Sequence, residues 1–228
     1  MKHIGIAAIT AEGAALVYRN ICRRAALRLG EHCHPEISLH SFSFSRHVHA
    51  NENRLSVWAD LILETSHKLK ASGADFMICP ANSTHEVYAL VQKDLPIPWL
   101  HIAETVSLQA RVQSLQSLLL LGTQYTINSG IYDQVLSASN IRFLRPKPDE
   151  IEVVHDFIVR ELIAGQVSPE AQCFFGHLVR KYQAQGADGV ILGCTELPLI
   201  LPDACPEVPV LDSTLALADA AVSAAIEY

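Results

Sequence analysis

Nowhere does the chain hold the ~18 unbroken apolar residues that a membrane-spanning helix needs. Its first apolar run, Ile4 to Ile9, is too short for a signal-peptide core and has no cleavage site behind it. The six cysteines (22, 33, 79, 173, 194 and 205) are scattered, with no CxxC spacing. They read as reduced thiols, and the chain is expected in the cytoplasm, with no membrane partner. Basic charge is scarce: 17 Lys and Arg stand against 24 Asp and Glu, for a formal net charge of −7. They form no stripe, so a nucleic-acid partner is not expected either. GxGxxG, GxxxxGK[ST] and GxSxG are all absent. What is present is material for a core. Half of the 228 residues are hydrophobic and 18% are charged, enough for one large domain or two small ones.

Apolar runs and helical patterns alternate along the chain. Strands are predicted at Lys2–Ile9, Glu36–Phe44, Phe76–Cys79 and Pro96–Leu100, with helices at Ala11–Leu29, Leu55–Ser72 and His85–Lys93. A polar loop, Ser45 to Arg54, separates the second strand from the second helix. The pattern then restarts. Strands at Ser117–Leu121, Ile141–Leu144, Val190–Leu192 and Val208–Leu211 alternate with helices at Thr126–Leu136, Glu150–Ala164, Pro169–Gln185 and Ser213–Ile226. This predicts an α/β fold of parallel sheets covered on both faces. The last helix has no later strand to cover, so it is expected to pack back on the first half. The resulting domains are 1–103 plus 211–228, and 104–210.

One stretch organises the rest. Gly186 to Pro198 reads GADGVILGCTELP: a buried-strand run, a glycine, then a thiol, a hydroxyl and a carboxylate at Cys194, Thr195 and Glu196. Reactive groups just past a strand's carboxyl end sit where open α/β sheets place ligands. Gly73 to His85, GADFMICPANSTH, echoes it, and residue for residue Ala81 falls on Cys194. The chain reads as two similar α/β halves, one carrying a thiol where the other carries alanine.

Each candidate also has a plainer reading. A buried cysteine is usually a small hydrophobe. Cys194, however, follows a strand-ending glycine and is expected near backbone N–H groups that favour a thiolate. Asn82-Ser83-Thr84 is either a helix cap, with Ser83 or Thr84 capping and Glu86 near the third position, or a ring of donors for a carboxylate. Leu121-Gly122-Thr123-x-x-Thr126 is a second donor cluster at a helix start, equally suited to capping. Arg46 is either a solvated loop residue or the partner of a second carboxylate. His47 with His49, and His32 and His34 around Cys33, come nearest to a metal pattern. Alternate positions do not converge with a third ligand, and no metal is expected.

Taken together, AEGAALVYRNI after the first strand, PANSTH, LGTQYTINSGIY, GADGVILGCTELP and VPVLDSTLALADAA resemble the aspartate/glutamate racemase family over nearly the whole chain. GCTE at 193–196 is closer to its aspartate-racemase branch. The resemblance implies two halves related by a pseudo-two-fold with the active site in the cleft between them. It also implies no cofactor, pyridoxal phosphate included, a dicarboxylic amino-acid substrate and a homodimer. In such enzymes one cysteine removes the α-proton and another returns one to the opposite face. By position Cys194 is one acid/base. Asn82, Ser83, Thr84, Thr123, Thr195 and Glu196 contact the substrate, Thr10 lines the cleft, and Arg46 meets the side-chain carboxylate.

Ala81 departs from the pattern, which has Cys or Thr there. Cys79 lies two residues deeper on the strand and is not a substitute. Three readings follow. The chain is a racemase whose first thiol has been replaced, which halts turnover. Alternatively it is a one-thiol enzyme, as in the related arylmalonate decarboxylases, or it is a binder that has lost the chemistry.

Overall fold

The computed structural model describes residues 1–48, 53–201, 205 and 207–226. The chain divides into two compact units, Met1–Thr105 with Thr214–Tyr228, and Val106–Ser213. Each is a parallel-sheet α/β layer structure.

In the first unit β1 (Ile4–Ala8) lies between β2 (Ile37–Ser41) and β3 (Phe76–Ile78), both pairings parallel. Every residue of β1 and β3 is buried, as expected of strands covered on both faces. Helices α1 (Ala11–Leu29) and α3 (Arg54–Ala71) pack on this sheet. The Thr10 hydroxyl caps α1 by accepting from the Gly13 N–H at 3.2 Å. The predicted second strand ends early, at Ser41, and one helical turn, α2 (Ser45–Val48), takes up part of the predicted loop. His49 lies outside the described residues.

The strand predicted at Pro96–Leu100 shrinks to a single bridge between Met77 and Trp99. Prolines 96 and 98 have no N–H to donate. Among the described residues two backbone bonds hold this segment to β3, Met77 N–H to the Pro98 carbonyl at 2.8 Å and Leu100 N–H to the Met77 carbonyl at 3.0 Å. Between them the chain forms a 3-10 turn (Asn82–Val87) and the short α4 (Tyr88–Val91).

In the second unit the order is β5-β4-β6-β7, all parallel: β4 (Ser117–Leu121), β5 (Arg142–Leu144), β6 (Gly189–Leu192) and β7 (Val210–Asp212). Leu118 to Leu121 are all buried, and each contributes about 2 kcal/mol by leaving water. Leu119 and Leu121 pack with Val154 and Ile158 of α8 (Pro148–Arg160) and Phe175 and Val179 of α9 (Pro169–Ala184). The single helix predicted over Thr126–Leu136 is two, α6 (Gln124–Asn128) and α7 (Ile131–Ala138). Gly130, at φ 76°, adopts a left-handed conformation that ends one and opens the other. The boundary between the units falls inside α5 (Ile102–Val112). The final helix, α10 (Ser213–Ile226), belongs to the first unit from Thr214 onward. There the Lys2 N–H donates to the Ala225 carbonyl at 2.9 Å, and Arg24 meets Asp219 at 3.3 Å.

The repeated Gly-Ala-Asp has a structural cause. Gly73 and Gly186, at φ 95° and 94°, close the preceding helices in a conformation other residues resist. The aspartate then pins the start of the neighbouring strand. Asp75 accepts from the His3 N–H at 2.7 Å, while Asp188 accepts from Gln116 and Ser117 at 2.7 and 2.9 Å. No helix among the described residues is long and apolar enough to cross a membrane.

Candidate functional site

In the first unit the chain leaves β3 through Cys79, Pro80 and Ala81 and enters the 3-10 turn that carries Asn82, Ser83 and Thr84. Asn82 and Thr84 are buried, whereas Ala81 and Ser83 are half-buried. The helix-cap reading does not apply. The residue before the turn is Ala81, and no side chain caps it. Cys79 is fully buried, and burial pushes its thiol up to about 12 against donation from the Ala81 N–H and the Thr84 hydroxyl. It braces the turn from below.

His85 completes the brace. Its Nδ1 accepts from the Ile102 N–H at 3.4 Å, so Nε2 carries the proton and donates to the Cys79 carbonyl at 2.9 Å. The ring lies 4.6 Å from Trp99 and 4.7 Å from His101. Burial, together with the neighbouring His101, keeps His85 neutral, and burial lowers His101 to about 4. The unfolded chain protonates such a histidine near 6.5, so this contribution to stability is complete above that pH and lost as pH falls toward 4. The loss for His101 alone is about 3 kcal/mol. His101→Gln is expected to flatten the fall in urea midpoint between pH 7 and pH 4.5. An unchanged acid limb would assign the loss to other groups.

In the second unit β4 and β6 end side by side. The Gly193 N–H donates to the Leu121 carbonyl at 2.7 Å. A Cβ on Gly193 would lie 3.0 Å from that carbonyl oxygen, 3.0 Å from the Thr126 methyl and 3.1 Å from Leu120. Glycine is therefore needed here for close approach, not for an unusual φ. Gly193→Ala is expected to cost about 1–3 kcal/mol by overpacking and to displace the next residue. A thermal melt checks the first effect, and a melting temperature equal to wild type would show that the strand ends can part freely.

That next residue is Cys194, half-buried beside the core of this unit. Its thiol donates to Glu196 Oε2 at 2.8 Å, and the Thr195 hydroxyl donates to Glu196 Oε1 at 2.8 Å. One carboxylate thus holds both groups. The sequence expectation of a favoured thiolate is corrected here. The N–H groups of Thr195 and Glu196 do favour it, but burial first and the Glu196 charge second push the thiol well above its usual value. The Ser213 hydroxyl donates to the Leu192 carbonyl at 2.8 Å and secures the end of β6. Thr123 sits at the N-cap of α6 without capping through its side chain, and Thr126 is buried behind it.

Arg46, the predicted side-chain carboxylate contact, lies 4.2 Å over the Phe42 ring and 3.7 Å from Glu64. Sequence reasoning missed Arg54 and read Glu86 only as a capping residue; the two form an ion pair at 2.9 Å, with Glu86 in the Asn82 turn. A local signal for the arginine existed in Arg54 and Trp58, one helical turn apart. Among the described residues no group of three or more His, Cys, Asp or Glu side chains could hold a metal.

A family profile described as Asp/Glu/Hydantoin racemase matches residues 6–221. The chain is 31% identical to the broad specificity amino-acid racemase RacX of Bacillus subtilis, over 73% of this chain and 72% of that one. Among solved structures, an aspartate racemase homologue from Pyrococcus horikoshii superposes with a TM-score of 0.89 at 27% identity, covering all of both chains. Glutamate racemase from Aquifex pyrophilus shares the fold, with a TM-score of 0.65 at 19% identity over 95% of this chain and 81% of that one. The chain belongs to the Asp/Glu/hydantoin racemase family.

Proposed function

We propose that this chain is a cofactor-independent racemase scaffold for acidic amino acids in which only one of the two acid/base positions is filled. The observation that carries the reading is the Cys194–Glu196 pair at 2.8 Å, set against Ala81 at the echoing position. Racemisation needs one acid/base for each face of the α-carbon. Cys194 serves one, and a methyl group at position 81 serves none.

The pair supplies a balanced step. The α-proton passes to Cys194 Sγ as the thiol's own proton passes to Glu196 Oε2, and the electron pair of the C–H bond remains on the substrate. A thiol with a raised pKa is scarce as thiolate but strong as a base once the proton is handed on, and Glu196 is the acceptor within reach. The resulting carbanion survives only if donors meet its carboxylate. Asn82, Ser83, Thr84, Thr123 and Thr195 are the residues assigned that task.

The test is exchange at Cα in D2O with each enantiomer of aspartate and glutamate. One surviving base predicts deuterium incorporation into a single enantiomer with retention of configuration. No incorporation with any of the four would leave the chain an amino-acid binder at most.

A further inference from the structure

Two arginines flank the segment after β2, and they are engaged differently. Arg46 is half exposed, and its guanidinium is already taken up by the Phe42 face and Glu64. Arg54, in the first turn of α3, is less exposed, at 32% of its side chain. Its guanidinium lies 4.7 Å over the ring of Trp58. That ring is itself fixed, because its indole N–H donates to the His47 carbonyl at 3.0 Å. Arg54 Nη2 stands 2.9 Å from Glu86 Oε2. Glu86 belongs to the same 3-10 turn as Asn82, Ser83 and Thr84, so the arginine is tethered to the donor turn.

The fork is only half used. Arg54 Nη1 is buried and has no hydrogen-bond partner among the described residues, and Glu86 Oε2 is likewise buried without an aligned donor. A buried donor left unpaired is unfavourable until an acceptor arrives. A guanidinium held over an indole, with one prong against a carboxylate and the other unpaired among the described residues, suits a second planar anion.

We propose that Arg54 is the specificity residue of this site and that its unpaired Nη1 donates to the side-chain carboxylate of a dicarboxylic amino acid. This assignment rests on the amino-acid reading above and names the residue that selects within that class. Glu86 opposes the ligand's charge while it positions the arginine, so it limits affinity.

The experiment is calorimetric titration of the full chain with L- and D-aspartate, L- and D-glutamate and, as a neutral comparison, L- and D-alanine. Arg54→Met is expected to weaken the dicarboxylates by roughly 30-fold or more and to leave alanine within about twofold. Arg54→Lys keeps the charge but loses the fork and falls between. Glu86→Gln removes the opposing charge and is expected to tighten the dicarboxylates roughly threefold. Should Arg54→Met fail to fold, Arg54→Lys and Glu86→Gln decide between the outcomes by moving dicarboxylate affinity in opposite directions. Parallel loss of aspartate and alanine, or no loss of either, overturns the assignment and leaves the amino-acid reading standing. Wild-type protein that binds none of the six overturns that reading, and the assignment with it.

Discussion

Ala81→Cys is expected to convert a chain that exchanges the α-proton of one enantiomer into one that interconverts both. The backbone at position 81 is ordinary extended chain, φ −98° and ψ 108°, and the side chain is only half-buried. A sulfur added to the existing Cβ therefore meets no conformational objection. The neighbouring Cys79 cannot already be filling the role. It is fully buried, its thiol is pushed up to about 12 by that burial, and its sulfur is taken up by donors from Ala81 and Thr84. A positioned acid/base contributes roughly 10²–10⁴-fold, and the gain in interconversion should fall in that range. Polarimetry on D- and L-aspartate, alongside D2O exchange, reads it directly. Ala81→Ser makes a useful control, since a hydroxyl of similar size is too weak an acid/base to give the gain. Exchange without interconversion in Ala81→Cys would mean that position 81 does not face the substrate. No exchange in either protein would remove the racemase reading altogether.

The parts that sequence made legible were those set by local pattern. Buried runs such as Leu118–Leu121 and Val190–Leu192 announce strands because a continuous apolar stretch of that length has few other uses. The repeated Gly-Ala-Asp marked the same structural join twice, since helix closure by glycine and strand pinning by aspartate both act over short distances. The site was legible only as composition. That Cys194, Thr195 and Glu196 lie together could be read from the chain, but that Glu196 holds both neighbours could not, because it depends on how a 3-10 turn (Leu197–Leu199) orients the preceding carboxylate. The direction of the thiol's shift was missed for the same reason, as burial is a property of the assembled unit. Arg54 and Glu86 are 32 positions apart and meet only when α3 packs against the Asn82 turn. Gly130 was visible, but its effect of breaking one helix into two required a positive φ that sequence does not record.

Cys194→Ala is the counterpart of the gain at position 81, and its expected effect is loss of all exchange, on the order of 10³-fold or more. The more informative protein combines both changes. Ala81→Cys with Cys194→Ala moves the only thiol to the other half-site, and it is expected to exchange the enantiomer that the starting chain leaves untouched. A merely structural role for Cys194 predicts instead that the double variant behaves like Cys194→Ala alone. Glu196→Gln separates the two functions of the pair. Because the Glu196 charge, after burial, is what holds the thiol up, its removal should lower the thiol pKa and speed alkylation of Cys194 by iodoacetamide at pH 8. Exchange should nevertheless slow, since the thiol's proton has lost its acceptor. Faster alkylation joined to faster exchange would show that Glu196 only suppresses the thiolate and takes no part in moving the proton.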